Sequence, residues 1–181
     1  MEELSPVIRG IFINSHLNRV REQKGDAGIA EVERLYGKPL NFSNTENIPV
    51  KEEIKIIEAV LQVLSEKPIP PDKLSYEAGR LHFQDFSQTP LGRIVFSVFR
   101  GDFKTMMTKS QYIAEHVFKG IKFETFDLGP KMVKVVISNA DYPIEHFQGL
   151  FQEWMNYSKE KGVVEAKELE PKKYEYVMHW E

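Results

Sequence analysis

Apolar side chains recur every three to four residues through the first two thirds of the chain, which is the spacing of amphipathic α-helices. Start and stop signals divide this region. Gly25 ends one helix, Thr89 and Pro90 form an N-cap followed by a proline at the first helical position, and Asp102 caps the last helix. The pattern predicts helices over 7–23, 27–36, 49–65, about 72–86, 90 to Phe99 or Arg100, and 102–119, with a surface loop over 37–48.

Beyond Gly120 the apolar positions alternate instead, which is typical of β-strands. Two hairpins are predicted, and a helix from Asp141 to Gly162 separates them. The four predicted strands cover 121–128, 132–137, 163–169 and 173–180. The whole pattern predicts one α+β domain over 1–181, in which an N-terminal helical half packs on a C-terminal antiparallel sheet with the order β-β-α-β-β.

Composition and motifs exclude several classes of function. The 181 residues carry a formal net charge of −3 and contain no cysteine, which excludes disulfides, thiolate metal ligands and cysteine nucleophiles. Lysine and arginine are spread along the chain, so we predict no nucleic-acid partner. No phosphate-binding glycine loop and no G-x-S-x-G motif occurs, so no enzyme is predicted.

The start of the chain and its apolar runs bear on where the protein resides. The opening Met-Glu-Glu-Leu-Ser has no positive region followed by an apolar run, which is the pattern of a signal peptide. No apolar stretch approaches the ~18–20 residues that a membrane span requires. These features predict a cytoplasmic protein with no membrane span.

Short motifs along most of the chain carry a family resemblance. They are Val-Ile-Arg-Gly-Ile-Phe at 7–12, Glu-Ala-Gly-Arg at 77–80, Thr-Pro-Leu-Gly-Arg at 89–93, Tyr142-Pro143 with Gly149 downstream, and Tyr-Val-Met-His-Trp at 176–180. With these motifs the chain resembles a myxobacterial paralogous family of unknown function. That family is similar in architecture to the ligand-binding fold of nitric-oxide signalling and Golgi transport, which includes haem–nitric-oxide-binding domains, four-vinyl-reductase domains and subunits of the transport protein particle.

The resemblance implies helices packed on an antiparallel sheet, an apolar pocket between these layers, and frequent dimers. It implies no catalytic residue. The Tyr-x-Ser-x-Arg signature of the haem-binding relatives does not occur here, and the cysteines that carry a fatty chain or a cluster in other relatives are missing. Neither covalent acylation nor cysteine-based metal chemistry is therefore carried over.

Two predicted helices each carry an arginine directly after a glycine, at Arg80 and Arg93. A guanidinium binds carboxylate or phosphate in a forked geometry, so either arginine is a candidate anchor for the polar head of a ligand. The commoner alternative is a structural ion pair within the chain, with Glu77 or Asp85 as a partner of such an arginine. The glycines themselves, Gly79 and Gly92, are interpreted as positions of close helix packing.

His82 and Asp85 lie three residues apart on one predicted helix and therefore share a face. Two such ligands begin a metal site, but zinc needs three or four and the sequence shows no third, so no metal site is predicted. The other four histidines are scattered along the chain: His16, His116, His146 and His179. They are interpreted as ordinary surface or half-buried residues, with the role of haem ligand left open for any of them.

Large apolar side chains crowd into the three predicted helices over 72–119 and into the helix between the hairpins. Such residues normally fill a core, and this is the favoured interpretation. The alternative is an adaptable apolar pocket with Phe83, Phe96, Met106 and Phe151 as its walls.

The leading hypothesis from the sequence is a non-enzymatic sensor or carrier domain that binds a fatty acid or lipid between helices and sheet, with Arg80 or Arg93 as the anchor and no cofactor. A second hypothesis is a homodimeric interaction module that recruits protein partners through exposed aromatic residues. The third is a haem or metal sensor.

Overall fold

The computed structural model describes residues 5–99 and 102–181. Arg100, one of the two predicted ends of the fifth predicted helix, lies outside these ranges, as do the first four residues of the chain. No helix within the two ranges is both long enough and apolar enough to cross a membrane.

Seven helices occur in the described ranges. They are α1 (Gly10–Tyr36), α2 (Val50–Leu64), α3 (Pro71–Gln88), α4 (Pro90–Phe99), α5 (Phe103–Thr108), α6 (Ser110–Val117) and α7 (Ile144–Tyr157). Gly25 interrupts α1 with a φ of 66°, so the two helices predicted on either side of it are joined across a kink. The predicted caps are confirmed: the Thr89 hydroxyl accepts from the Gly92 amide, and the Asp102 carboxylate accepts from the Thr105 amide.

Four long strands form the main sheet. They are β4 (Lys122–Gly129), β5 (Met132–Ser138), β6 (Gly162–Glu170) and β7 (Lys173–Trp180), and their order is β4-β5-β7-β6 with every pair antiparallel. On β7, Tyr176, Met178 and Trp180 alternate inward and are buried. The α+β class and the order β-β-α-β-β are confirmed.

A second, small sheet lies where the sequence predicted the start of one helix, a loop and the end of another helix. It consists of β1 (Val7–Arg9), β2 (Asn47–Pro49) and β3 (Phe118–Lys119), in the order β2-β1-β3. Strands of two or three residues are too short to show an alternating pattern, which is why the sequence did not predict them. Two further boundaries were wrong: the helix predicted over 102–119 breaks at Lys109, and α7 ends at Tyr157 rather than at Gly162.

Direct contact between α3 and α7 determines how closely these two helices approach each other in the interior of the molecule. A Cβ atom at Gly79 would overlap the carbonyl oxygen of His146, and one at Gly149 would overlap the carbonyl oxygen of Tyr76. Only hydrogen therefore fits at these two places, and the backbones of α3 and α7 lie in direct contact. Close packing at Gly79 is confirmed, and it joins α3 to α7. Close packing at Gly92 is confirmed against the carbonyl oxygen of Phe86.

Candidate functional site

A small apolar cavity lies between α3, α6, α7 and β4. Its volume is about 40 Å³. Ligand pockets in proteins usually enclose about 300–1,000 Å³, so this cavity has room for a few water-sized groups only. Its walls are His82, Phe83, Phe86, Ser110, Ile113, Ala114, Val117, Phe118, Phe123, Phe147, Leu150, Phe151 and Trp154.

The four predicted apolar wall residues take two kinds of position. Phe83 and Phe151 line the cavity. Phe96 is packed edge-to-face on Phe83, with ring centroids 5.7 Å apart, and Met106 is fully buried with its sulfur 3.4 Å from Nε1 of Trp154. The structure therefore brings two of the four to the cavity and places the other two in the surrounding core.

The two predicted anchor arginines do not lie at the cavity. Arg80 donates from Nε to Glu153 at 2.9 Å and from a terminal nitrogen to Glu77 at 3.1 Å. Glu153 also accepts from Gln84 at 2.7 Å. Arg93 is exposed on α4. The structural ion pair, which was the alternative interpretation of Arg80, is the one that the structure contains.

A cluster of polar side chains occupies the core beside the cavity, and the two meet at His82. Its members come from α1, α2, α3 and α7 and from the residues just before α7. They are His16, Glu53, His82, Asp85, Tyr142 and His146, and we call them the buried polar cluster. None of them is more than 3% exposed.

The side of the cluster near α1 is an ordered chain of charged groups. Nδ1 of His16 lies 2.6 Å from a carboxylate oxygen of Asp85, and the other oxygen of Asp85 accepts from Nε of Arg19. This arrangement fixes the His16 ring, because its Nδ1 carries the hydrogen that Asp85 accepts. Nε2 of His16 then points at Glu53, at a distance of 3.4 Å from its Oε1 atom.

The centre of the cluster is unusually poor in hydrogen bonds. Nδ1 of His82 lies 3.2 Å from Nε2 of His146 and 3.8 Å from Oε1 of Glu53. Within the described ranges, Nε2 of His16, both carboxylate oxygens of Glu53 and the hydroxyl of Tyr142 have no hydrogen-bond partner. Buried polar atoms are nearly always hydrogen-bonded, and an unpaired one costs roughly 1–3 kcal/mol, so four at one place require an explanation.

The charges of the cluster follow from burial and from these contacts. Burial opposes the charge on His16, but the hydrogen bond to Asp85 and the negative charges of Asp85 and Glu53 raise the pKa of His16 to about 9. Burial likewise opposes the charge on Glu53, and the contact with His16 holds the pKa of Glu53 below its usual range. Burial lowers the pKa of His82 to about 4 and that of His146 to about 3. At neutral pH the cluster therefore pairs one imidazolium with two carboxylates and contains two neutral imidazoles.

Two of the scattered histidines are wrongly described by the sequence-based interpretation. His16 and His146 are buried and meet His82, whereas His116 is exposed and His179 half-buried. The predicted pair of His82 and Asp85 does share a buried face, but Asp85 contacts His16 instead of completing a site with His82.

A signal for the cluster was present in the sequence. Its helical members lie at positions where the spacing predicts a core residue: His16 lies between Ile13 and Val20 on the apolar stripe of α1, and Glu53 lies between Val50 and Ile57 on that of α2. A polar residue on the apolar stripe of a helix is the pattern that indicates such a position. That the stripes of separate helices converge is a tertiary fact that spacing alone does not contain.

The fold is shared with solved H-NOX proteins. An H-NOX protein from S. oneidensis in its Fe(II)NO ligation state is 14% identical, with a TM-score of 0.70 over 96% of this chain and 99% of that one. A mutant of the H-NOX protein from K. algicida, in its Fe(II) unliganded form, is 10% identical, with a TM-score of 0.66 over 96% and 97%. A variant of the Tt H-NOX protein is 15% identical, with a TM-score of 0.68 over 96% and 95%. At these identities the likeness shows a common fold.

The interior of this chain does not fit a haem. The cavity of about 40 Å³ is far smaller than a macrocycle, and its walls are large aromatic side chains already in contact with one another. As the side chains stand, no group of three or more histidine, aspartate or glutamate residues in 5–99 and 102–181 is arranged to hold a metal ion.

The family assignment comes from the sequence comparison. No curated protein matches the chain. One family model matches residues 4–181, which is nearly the whole sequence, and it agrees with the resemblance to a family of unknown function. The chain belongs to the family described as "Protein of unknown function (DUF2378)".

Proposed function

We propose that this chain is a non-enzymatic sensor domain that binds a small ligand at the buried polar cluster. The cluster lies among helices of both halves of the chain, because its residues come from α1, α2, α3, α7 and the segment just before α7. The shared fold with H-NOX proteins, one of which was solved in the Fe(II)NO ligation state, supports a ligand-binding role.

The observation that carries the proposal is Glu53. Its side chain is fully buried, and neither carboxylate oxygen has a hydrogen-bond partner in the described part of the chain. The His16 imidazolium lies 3.4 Å away and balances the charge of Glu53, but carboxylate oxygens without a hydrogen bond in the core still cost free energy. A bound ligand that contacts the carboxylate, His16 Nε2 and the Tyr142 hydroxyl would remove the cost.

The size of the cavity decides the class of ligand. The fatty acid or lipid that the sequence favoured requires several times the volume that lies open beside His82. Arg80 is held by two glutamates, so it offers no free guanidinium to a carboxylate head group. A ligand of a few atoms that interacts with nitrogen and oxygen atoms agrees better with the geometry than an acyl chain.

Native mass spectrometry with a denatured control tests the proposal. We expect the folded protein to retain a small species that is released when the chain unfolds, and we expect a matching additive to raise the melting temperature. The additives are palmitate, haem, nitric oxide and divalent metal ions, each applied alone. If the native mass equals the chain mass and none of the four raises the melting temperature, the proposed function is wrong.

A second candidate function, a homodimeric interaction module, is favoured by one observation on α4. Ile94 and Val98 lie one turn apart and are 61% and 66% exposed. Adjacent exposed apolar side chains of this size are common at interfaces. Sedimentation of the wild type beside the double variant I94E/V98E tests it: a dimer that becomes a monomer in the variant supports this function, and two monomers contradict it.

A further inference from the structure

We propose that the ligand of the buried polar cluster is a divalent first-row transition-metal ion, bound by His16, Glu53, His82 and His146. This inference rests on the proposed function, because it names the ligand of the same site. Three imidazoles and one carboxylate, each from a different helix, surround the place where polar atoms lack partners. Imidazole ligands suit Zn²⁺, Fe²⁺, Co²⁺ and Cu²⁺, and Ca²⁺ and Mg²⁺ prefer oxygen ligands.

Three of the six separations between the donor atoms are close to those of a tetrahedral site. Zinc–nitrogen bonds of about 2.0–2.1 Å place tetrahedral ligand atoms about 3.3 Å from one another. The observed distances are 3.2 Å between His82 Nδ1 and His146 Nε2, 3.4 Å between His16 Nε2 and Glu53 Oε1, and 3.8 Å between His82 Nδ1 and the same oxygen.

The cluster is not preassembled, because no three of its side chains are arranged to hold an ion as they stand. The longest of the three separations exceeds the tetrahedral value by about 0.5 Å. The inference therefore requires the Glu53 side chain and the two facing imidazoles to rotate towards one another when the ion binds. The direct contact of α3 with α7 at Gly79 keeps His82 and His146 close enough for this closure.

Asp85 and Arg19 supply the support that a metal-binding histidine normally has. A ligand histidine usually donates its other ring hydrogen to a carboxylate, which fixes the tautomer and orients the ring. Asp85 accepts from Nδ1 of His16, and Arg19 in turn holds Asp85. The nitrogen left to face Glu53 is Nε2, the atom without a hydrogen-bond partner in the described structure. In the imidazolium this nitrogen carries a proton, which is released when the ion binds. Asp85 and Arg19 are therefore positioning residues and not ligands.

Full burial of the four ligands determines how the experiment must be done. An ion reaches the cluster when the chain folds or opens, so the full-length chain is unfolded in urea with EDTA, desalted, and refolded with Zn²⁺ or Co²⁺. We expect about one ion per chain by elemental analysis, a higher melting temperature than that of the EDTA-refolded sample, and a Co²⁺ visible spectrum of a four-coordinate site.

Variants separate this site from adventitious binding. E53Q and H82Q should lose the ion, and D85N should weaken its affinity about 10–100-fold because it disturbs only the orientation of His16. H116Q is the matched control, since His116 is exposed on α6, and it should bind like the wild type. Equal binding by E53Q, H82Q and the wild type would overturn the inference.

The remaining outcomes are also decisive. If no ion binds but native mass spectrometry shows another retained species, the metal inference fails and the proposed function stands. If neither an ion nor any other species binds, both fail. If E53Q and H82Q do not fold, X-ray absorption of the Co²⁺-refolded wild type replaces them: a shell with about three imidazole nitrogens supports the inference, and a shell of water oxygens overturns it.

Discussion

The α3–α7 pair carries polar groups on two sides, and the two sides differ in how completely those groups are paired. On the outer side, Glu153 accepts from Arg80 and Gln84, and Arg80 also donates to Glu77. On the inner side, the same two helices present histidines to Glu53, whose carboxylate accepts no hydrogen bond in the described part of the chain.

Water explains why this difference matters. At the surface, solvent is available to any group that loses its partner, so an ion pair there contributes only ~0–1 kcal/mol. In the core no solvent replaces a missing partner, and a polar atom left without a hydrogen bond costs roughly 1–3 kcal/mol. The comparison teaches that the paired groups on the outside are ordinary structure, whereas the unpaired groups inside are a cost that points to function.

The variant G79A is expected to lose the most stability, because it disturbs the inner and the outer side of the α3–α7 pair at once. The added methyl group would overlap the carbonyl oxygen of His146, which is backbone and cannot turn away. We expect α3 and α7 to separate, with a loss of about 3 kcal/mol or more in the free energy of unfolding, measured by urea denaturation.

A second alanine variant, G25A, serves as the control for G79A. Its Cβ would meet nothing within 4 Å, and its cost comes only from a φ of 66°. With a ψ of −162° this conformation is one that essentially only glycine adopts, and it costs an L-residue about 1–3 kcal/mol. If G79A is no more destabilising than G25A, the helices are not in the close contact described here.

Sequence spacing predicted most of the fold and little of the site, for physical reasons. Helical and alternating patterns are local, so they placed α2, α3, α4 and the four long strands, and the capping residues Thr89 and Asp102 were correctly read. The partner of Gly79 and the meeting of His16 with His82 depend on which helices become neighbours. These contacts join residues more than sixty positions apart, and no local pattern encodes them.

The second-largest loss of stability is expected on the inner side. It is found by comparing the substitution of glutamate by alanine at Glu53 with the same substitution at Glu153. In protein refolded with EDTA, we expect E53A to cost about 3–5 kcal/mol, because it leaves the buried imidazolium of His16 without one of its two carboxylates. E153A should cost about 1 kcal/mol, since Arg80 keeps Glu77 and gains water. Both are measured by urea denaturation at neutral pH.

The measured costs of E53A and E153A test whether the polar groups on the inner side are less well paired than those on the outer side. Equal costs for E53A and E153A would show that Glu53 is as well compensated as the half-buried Glu153 and needs no ligand. A loss at E53A that becomes larger when the chains are refolded with Zn²⁺ would show that the metal-bound form depends on the same carboxylate.

The smallest expected effect is the change with pH in the stability that Arg80 and Glu153 contribute on the outer side. Burial raises the pKa of Glu153, but Gln84 and Arg80 hold the pKa below its usual value of 4.5. A depressed pKa contributes stability that is present above 4.5 and is lost as the pH falls through the lower value of the folded state. R80Q should therefore be less stable than the wild type by about 1 kcal/mol or less at neutral pH, and this difference should shrink in acid and in high salt.

Arg93 provides the control for R80Q, because it is exposed on α4 and lies apart from the α3–α7 network. R93Q should follow the wild type across the same pH range within the error of urea denaturation. A difference between R80Q and the wild type that stays constant in acid would show that Arg80 acts by packing its aliphatic stem. The ion pairs of Arg80 would then contribute nothing measurable to stability. Only the missing hydrogen bonds of the buried polar cluster would still distinguish the inner side from the outer side.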